Sequence, residues 1–397
     1  MTIFYLPENE TWIQNEQENC TFGGLKKEIR YESNFLKNQG ILFDLQLKDQ
    51  HIGPLIGIMT ASKSENSLAG NSKLFIDIQQ GLLKRNALSF IFSYEDLKES
   101  GSIIGYIYLP SYEKWLRVKM PFPDIVYNRI PFRKSEQTVL YQQCVALFQQ
   151  FGIPIFNPGF IDKFDLFQIL KSKNNIKRFL PKTILIDSME NLELFFNQYE
   201  DIYLKPRKHS KGKNIYRLYF ENEQLVLETH GQREFFSNFV ELWNQHDEMF
   251  YKIPFIAQRT IQPDLLNGFR YDFRVLTHWD VPKQKYIVTG IGIRATEQHG
   301  LTTHTTNGGF IIPYQSIRTD EHDRFIKMIV EEIGMVLSNK LGFFGEFSID
   351  AGLNSGGKYV VYEVNSKPMS FDEEEIERKR IQHLCQLFFQ LTGFDDK

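Results

Sequence analysis

The sequence predicts an α+β protein in which a small α/β unit precedes a larger body of mostly antiparallel strands. Residues 51–155 alternate apolar strands with amphipathic helices, the βαβ rhythm of an open sheet. Beyond "IPIFNP" the pattern changes to strand pairs, "NIYRLYF" with "QLVLETH" and "YDFRVLTHWD" with "KYIVTGIGIRA", joined by short turns. A chain of 397 residues is also long for one hydrophobic core, so two or three subdomains are expected.

Taken in order, residues 1–50 alternate weakly around the "FGG" turn at Phe22 to Gly24 and read as a short β-rich appendage. "HIGPLIGIMTAS" is an apolar strand entering a polar loop, followed by a helix near Lys73 to Asn86 and a strand at "LSFIFSY". "DIVYNRI" gives another strand, and "SEQTVLYQQCVALFQQFG" an amphipathic helix that Gly152 can close. Further on, "DKFDLFQILKSK" reads as a helix, "DIYLKP" and "FIAQRTI" as strands, and Asp320 to Lys340 as a long helix. "FFGEFSIDAG" and "YVVYEVNSKP" are two apolar strands around a Gly-, Asn- and Ser-rich turn. "DEEEIERKRIQHLCQLFFQ" closes the chain as an amphipathic helix whose charged run reads as a solvated face.

Composition narrows the class. A net charge of −3 supplies no global field toward nucleic acid or an anionic membrane, and no apolar run approaches the ~20 residues of a membrane helix. Three scattered cysteines, Cys20, Cys144 and Cys385, fit free thiols in a reducing compartment better than a disulfide framework. The N-terminus lacks a basic stretch followed by a long apolar core, so a cytoplasmic protein is expected.

Chemistry concentrates in the C-terminal strands. Asp350 ends one strand and Glu363 and Asn365 share a face of the next. A hairpin between them would bring two carboxylates and an amide oxygen together, a hard oxygen set that suits Mg²⁺. Taken singly, each of these residues is more often a turn or solvent group. In "YLKPRKHSKGKNIYRL", Lys205 ends a strand and a basic loop with Ser210 and Gly212 follows, able to wrap phosphate oxygens or to be a solvated hairpin. Asp272 and Arg274 share a face of one strand and Arg294 lies at the end of its expected partner. The arginines can clamp a carboxylate or phosphate, against the blander reading of a surface pair. Gln258 and Ile261 flank an apolar strand, and His304 and Asn307 lie in a Gly-bearing loop.

Lys163, Lys205, the strand "FIAQRTI" and Asp350 followed by "EVNSKP" stand in the order of an ATP-grasp nucleotide site. Together with "GPLIGIMT", "VYNRI", "YDFRVL", "VTGIGIRA", "TTHTTNGG" and "EVNSKPM", they make the chain resemble the YheC/YheD family, the endospore coat-associated ATP-grasp group. The resemblance covers about 155–392. It implies an α+β ATP-grasp fold, two subdomains sandwiching ATP, over 156–397, with a nucleotide lid at about 180–255 and a metal-binding part at about 256–397. The α/β domain at 51–155 and the β-rich appendage would precede it.

The resemblance also implies roles. Lys163, Lys205, Ser210 and Gly212 would meet the nucleotide phosphates, and Gln258 and Ile261 the adenine. Asp350, Glu363 and Asn365 would ligate one or two Mg²⁺ ions, with Mn²⁺ as a substitute. Arg274, Arg294 and Asn307 would face the γ-phosphate and acyl acceptor. The implied activity is carboxylate–amine (or carboxylate–thiol) ligation through an acyl phosphate. Small-molecule or peptide substrates and spore coat proteins would be the partners, without nucleic acid or membrane. A nucleotide-binding coat protein without turnover and an ATP-grasp kinase are the competing readings. One departure is visible: the lid segment "RKHSKGK" has one glycine and several cations.

Overall fold

The computed structural model describes the chain except residues 17–18, 34–39, 65–66, 99–100, 209–213, 230, 297–308 and 395–397. In the α/β unit, β1 (Leu55–Thr60), β2 (Leu88–Ser93), β3 (Ser102–Leu109), β4 (Lys114–Pro121), β5 (Ile125–Asn128) and β6 (Ile155–Phe156) belong to one seven-stranded sheet. β1 pairs parallel with β2 and β5, and β5 with β6, while the hairpin β3–β4 adds antiparallel strands at the β2 edge. All residues of β1 and β2 are buried, as their continuous apolar sequences require of strands covered on both faces.

Helices α1 (Ser72–Leu83) and α2 (Val139–Gln150) cover those faces. Asn71 and Thr138 cap them by accepting from the amides of Leu74 and Tyr141. Leu74, Phe75 and Ile78 pack with Ile56 and Ile58 on one side, Tyr141, Cys144 and Phe148 with Leu55 and Met59 on the other. The first fifty residues contribute to the second of these clusters through Ile3, Tyr5, Trp12, Phe22 and Phe43. The indole of Trp12 donates to the Lys119 carbonyl at 2.9 Å, which ties this segment to β4.

Helix α3 (Lys163–Lys171) leads into a six-stranded antiparallel sheet. Its strands are β7 (Thr183–Leu185), β8 (Asp201–Pro206), β9 (Tyr216–Glu221), β10 (Gln224–Thr229), β11 (Gln232–Phe236) and β12 (Phe255–Arg259), in the spatial order β7-β12-β8-β9-β10-β11. Two helices that the strand patterns did not announce, α4 (Met189–Tyr199) and α5 (Phe239–Lys252), cover its core face through Leu192, Phe196, Phe239 and Leu242.

The third sheet carries the long antiparallel pair β13 (Phe269–Asp280) and β14 (Lys285–Thr296), then β15 (Phe310–Ile312), β16 (Glu346–Leu353) and β17 (Tyr359–Asn365), ordered β15-β14-β13-β16-β17. Helix α6 (Asp320–Leu341) buries Phe325, Ile329, Ile333 and Val336 on one face of this sheet. Gly334 sits where a Cβ would come within 2.2 Å of the Tyr286 ring, so only glycine lets the helix lie this close.

Helix α7 (Glu374–Thr392) packs back on the α/β unit through Leu384, Leu387 and Phe388. Arg380 corrects the expectation that its charged run is a solvated face, because the residue is fully buried. Its guanidinium donates through Nη2 and Nε to both oxygens of Glu346, at 2.7 and 2.8 Å. Arg129 adds a third bond at 3.1 Å, Tyr127 donates its hydroxyl, and His278 stands 3.6 Å away. Burial alone would push the Glu346 carboxyl up. Arg380, His278 and Arg129 together hold it well below the ordinary carboxylate range. The cluster draws on the α/β unit, the third sheet and α7 at once.

Replacing Glu346 by alanine would strip the buried Arg380 of its bidentate partner and leave it, among the described carboxylates, only the 3.3 Å contact with Glu377. The expected loss is about 3–5 kcal/mol of folding stability, read from urea unfolding; a loss below about 1 kcal/mol would show that the cluster is not a structural tie.

Candidate active site

The face of the third sheet opposite α6 carries a row of functional groups set by strand register. Glu363 on β17 pairs with Asp350 on β16, Asp350 with Arg274 on β13, and Arg274 with Gly292 on β14. Paired residues of adjacent strands point to the same face, so the row reads carboxylate, carboxylate, guanidinium and an open position. A parallel row holds Asp272, Arg294 and Ile311.

Asp350 and Glu363 have different surroundings. Burial pushes the Asp350 carboxyl up to about 6, with Arg274 opposing and Glu363 adding to the rise. The Asn365 side-chain amide donates to Asp350 at 3.0 Å. Glu363 is held below its ordinary value in spite of burial, because Lys163 pairs with it and Lys205 and Arg133 lie near. Among the described residues no group of three or more His, Cys, Asp and Glu side chains suits a metal. Two carboxylates and an amide nonetheless fit Mg²⁺, which uses one or two carboxylates and keeps its waters.

Two lysines approach the row from the neighbouring elements. Lys163 opens α3, whose cap Asp162 accepts from the amides of Phe164 and Asp165 and from Arg207 at 3.1 Å. That arginine follows β8, so the helix start and the strand end are fixed together. Lys205 donates to Gln258 at 2.7 Å, and Gln258 donates on to Thr183 at 3.1 Å. Burial and the charge of Lys163 push the Lys205 ammonium down to about 8.

The structure thus brings together Lys163, Lys205, Gln258, Arg274, Asp350, Glu363 and Asn365. Gln258 contacts Lys205, which the reading of it as an adenine residue did not foresee. Ile261 lies just past β12 and is half-buried. Arg294 reaches Asp372 at 3.5 Å. Asp272 and Arg274 are both buried rather than a surface pair. Ser210, Gly212, His304 and Asn307 lie outside the described residues.

Three cations went unread in the sequence. Arg133 donates to the Ile161 carbonyl at 2.8 Å and stacks on Phe160. Arg270 stands 3.9 Å from Asp272. Lys367 pairs with Glu136 and donates to Asn128 at 2.8 Å, so the "SKP" that follows the metal-type residues anchors their strand to the α/β unit. The one available signal was position: Arg133 follows β5 at the carboxyl end of a parallel strand, where open α/β sheets bind ligands.

With this geometry in place, the comparisons with known proteins are decisive for the family. The model of the YheC/D-like ATP-grasp domain matches residues 152–392. The chain belongs to the YheC/D-like ATP-grasp family. It is similar to the endospore coat-associated protein YheD of Bacillus subtilis (strain 168), 28% identical over 80% of this chain and 73% of that protein. It is also similar to YheC of the same organism, 20% identical over 66% of this chain and 75% of that one. Among solved structures, D-alanyl-alanine synthetase A from Vibrio cholerae O1 biovar eltor str. N16961 shares the fold, with a TM-score of 0.52, 12% identity and coverage of 86% of this chain and 99% of that one. The fold is therefore the α+β ATP-grasp fold found in ligases. Among the described residues no helix is long and apolar enough to cross a membrane.

The raised Asp350 carboxyl predicts a stability signature. Its folded value of about 6 exceeds that of an unfolded aspartate, ~3.9, so ionising it costs folding energy at neutral pH. Stability from this group is complete below the unfolded value and is lost as pH rises through about 6. Without divalent cations, Asp350→Asn is expected to be more stable than wild type at pH 7.5, by on the order of 1–2 kcal/mol, and nearly equal to it at pH 4. Adding Mg²⁺ should raise the melting temperature of wild type only. Chemical and thermal unfolding at the two pH values check this.

Proposed function

We propose that this chain is an ATP- and Mg²⁺-dependent ligase that joins a carboxylate to an amine through an acyl phosphate, in the service of spore coat formation. The observation that carries the reading is the row Glu363–Asp350–Arg274, flanked by Lys163 and Lys205. It places carboxylates for a cation beside three positive groups for a phosphate chain. The coat link rests on the names of the Bacillus relatives.

In this reading Lys163 and Lys205 bind nucleotide phosphates, as does the segment with Ser210 and Gly212, and Gln258 fixes Lys205 in place. Ile261 borders the base. Asp350, Glu363 and Asn365 would hold Mg²⁺, or Mn²⁺ in its place, which supplies neutralisation of phosphate charge when bound. Arg274, held by the Met369 carbonyl at 2.9 Å and lying over the Phe371 ring, faces the transferred phosphoryl group, with Arg294 and Asn307 on the acceptor side. The carboxylate substrate attacks the γ-phosphorus and ADP leaves. The neutral amine then attacks the acyl carbon, the carbon–nitrogen bond forms, and phosphate departs with the proton that the nitrogen loses. The protein's contribution is position and fixed charge, which is sufficient for phosphoryl transfer.

Glu363→Ala is expected to lower ATP-dependent phosphate release about 10²–10³-fold while the circular dichroism spectrum stays that of wild type. Release at the wild-type rate would sink the assignment. Lys205 supplies a pH test. Its ammonium titrates near 8 in the free protein, so binding an anion above that pH requires proton uptake. Mg·ATP affinity should fall as pH rises from 7.5 to 9.5, by up to about tenfold per unit. Lys205→Arg should flatten the profile, and calorimetric titration reads both.

A further inference from the structure

We propose that Glu373, at the threshold of α7, binds the ammonium group of the acceptor, so that the amine is recognised as a cation before it reacts. The proposal rests on the ligase reading above and names the class of its second substrate: a primary amine of the α-amino acid type.

The open position in the functional row carries the argument. Gly292 follows Arg274 across the strands, and a Cβ there would come within 2.6 Å of Glu373 Oε1 and 3.1 Å of Oε2. The carboxylate of Glu373 therefore covers the β14 end of the row that begins with Glu363 and Asp350. Adjacent strands lie ~4.8 Å apart. Glu373 thus stands about two strand spacings, ~10 Å, from Asp350, with Arg274 between them. A phosphoryl group at the metal end and an acyl carbon over Arg274 would leave the incoming nitrogen at Glu373, bound as ammonium and passing one proton to water before it attacks as the neutral amine.

Glu373 is free for such a role. It occupies the cap position of α7, yet its side chain makes no capping hydrogen bond. Its neighbours Glu374 and Glu375 are exposed, whereas Glu373 is half-buried. Among the described residues it forms no salt bridge; burial pushes its carboxyl up, Asp372 adds to the rise, and Arg294 and Arg274 oppose it. A second observation points to a ligand here. Arg274 is only 8% exposed, and its Nε has no hydrogen-bond partner among the described residues. A buried guanidinium nitrogen without an acceptor, one strand away from a half-buried carboxylate that forms no ion pair among the described residues, is the complement of a ligand that carries both charges.

The position of Glu373 is fixed rather than incidental. Between β17 and α7 the chain is held at Ser366 by Asn157, at Pro368 by Arg129 and Arg380, and at Phe371 by Glu377. Gly290, one pleat from Gly292, leaves room for Ile376 of the same helix. Two glycines on β14 thus seat the start of α7 against the functional face.

The test measures binding and does not require turnover. A panel of α-amino acids and their matching α-hydroxy acids, alike except for ammonium against hydroxyl, is titrated into the Mg·ADP-bound protein by calorimetry. Wild type is expected to bind at least one amino acid ten or more times tighter than its hydroxy acid. Glu373→Gln should reduce that preference to threefold or less, and Glu374→Gln should leave it intact. A wild type without any such preference, or a Glu373→Gln variant that keeps it, would overturn the proposal. Phosphate release is followed in parallel with ATP and the same compounds. Ammonium preference without release would remove the ligase reading and leave the ammonium site standing, whereas release without the preference would do the reverse.

Discussion

The buried carboxylate of Glu346 is the constraint on which the remaining geometry depends. It sits at the first residue of β16, and the groups that neutralise it come from three places. Tyr127 lies on β5 and Arg129 just after it, His278 lies on β13, and Arg380 on the last helix. A charge with no access to water must be satisfied where it is, so these parts have one mutual arrangement. Asn157 extends the tie through the backbone, donating to the carbonyls of Glu346 and Ser366 and accepting from Gly345. The functional row begins four positions along the same strand. Its distance from the α/β unit, from α3 and from the start of α7 follows from the register that this knot fixes.

Much of this was legible beforehand. The antiparallel pairing of "FSIDAG" with "YVVYEVN" was readable because apolar alternation and a glycine-rich turn agree, and register then put Asp350 opposite Glu363. The β13–β14 pair was readable for the same reason. What stayed hidden was decided by contacts distant in sequence. Arg380 lies in a run of charges that looks solvated, and only its meeting with Glu346 explains its burial. Glu346 itself appears as an ordinary residue between Gly345 and Phe347. Helices α4 and α5 were missed because their apolar residues do not lie on one face only: Leu194 and Val240 stay exposed, and which residues turn inward is decided by the sheet they cover. The first fifty residues carry no chemical motif, yet Trp12 and Phe43 complete the core beneath the parallel sheet.

The functional face shows the opposite design from the knot. Around Glu346 every charge is matched. Along the row Asp350 is made harder to ionise by burial and a like-charged neighbour, and Lys205 is made easier to deprotonate by burial and Lys163. Such mismatched groups cost stability in the free protein and cluster where a ligand supplies the missing charge. A cation between the carboxylates and an anion between the lysines would relieve both mismatches at once. This is the physical content of the nucleotide reading, and it does not depend on which acid or amine is joined.

The most direct measurement is a crystal structure of the protein with Mg²⁺ and a non-hydrolysable ATP analogue. The account predicts the metal against Asp350 and Glu363, the phosphate chain against Lys163 and Lys205, and Arg274 turned toward the terminal phosphate. A nucleotide bound elsewhere, or a metal that touches neither carboxylate, would contradict it.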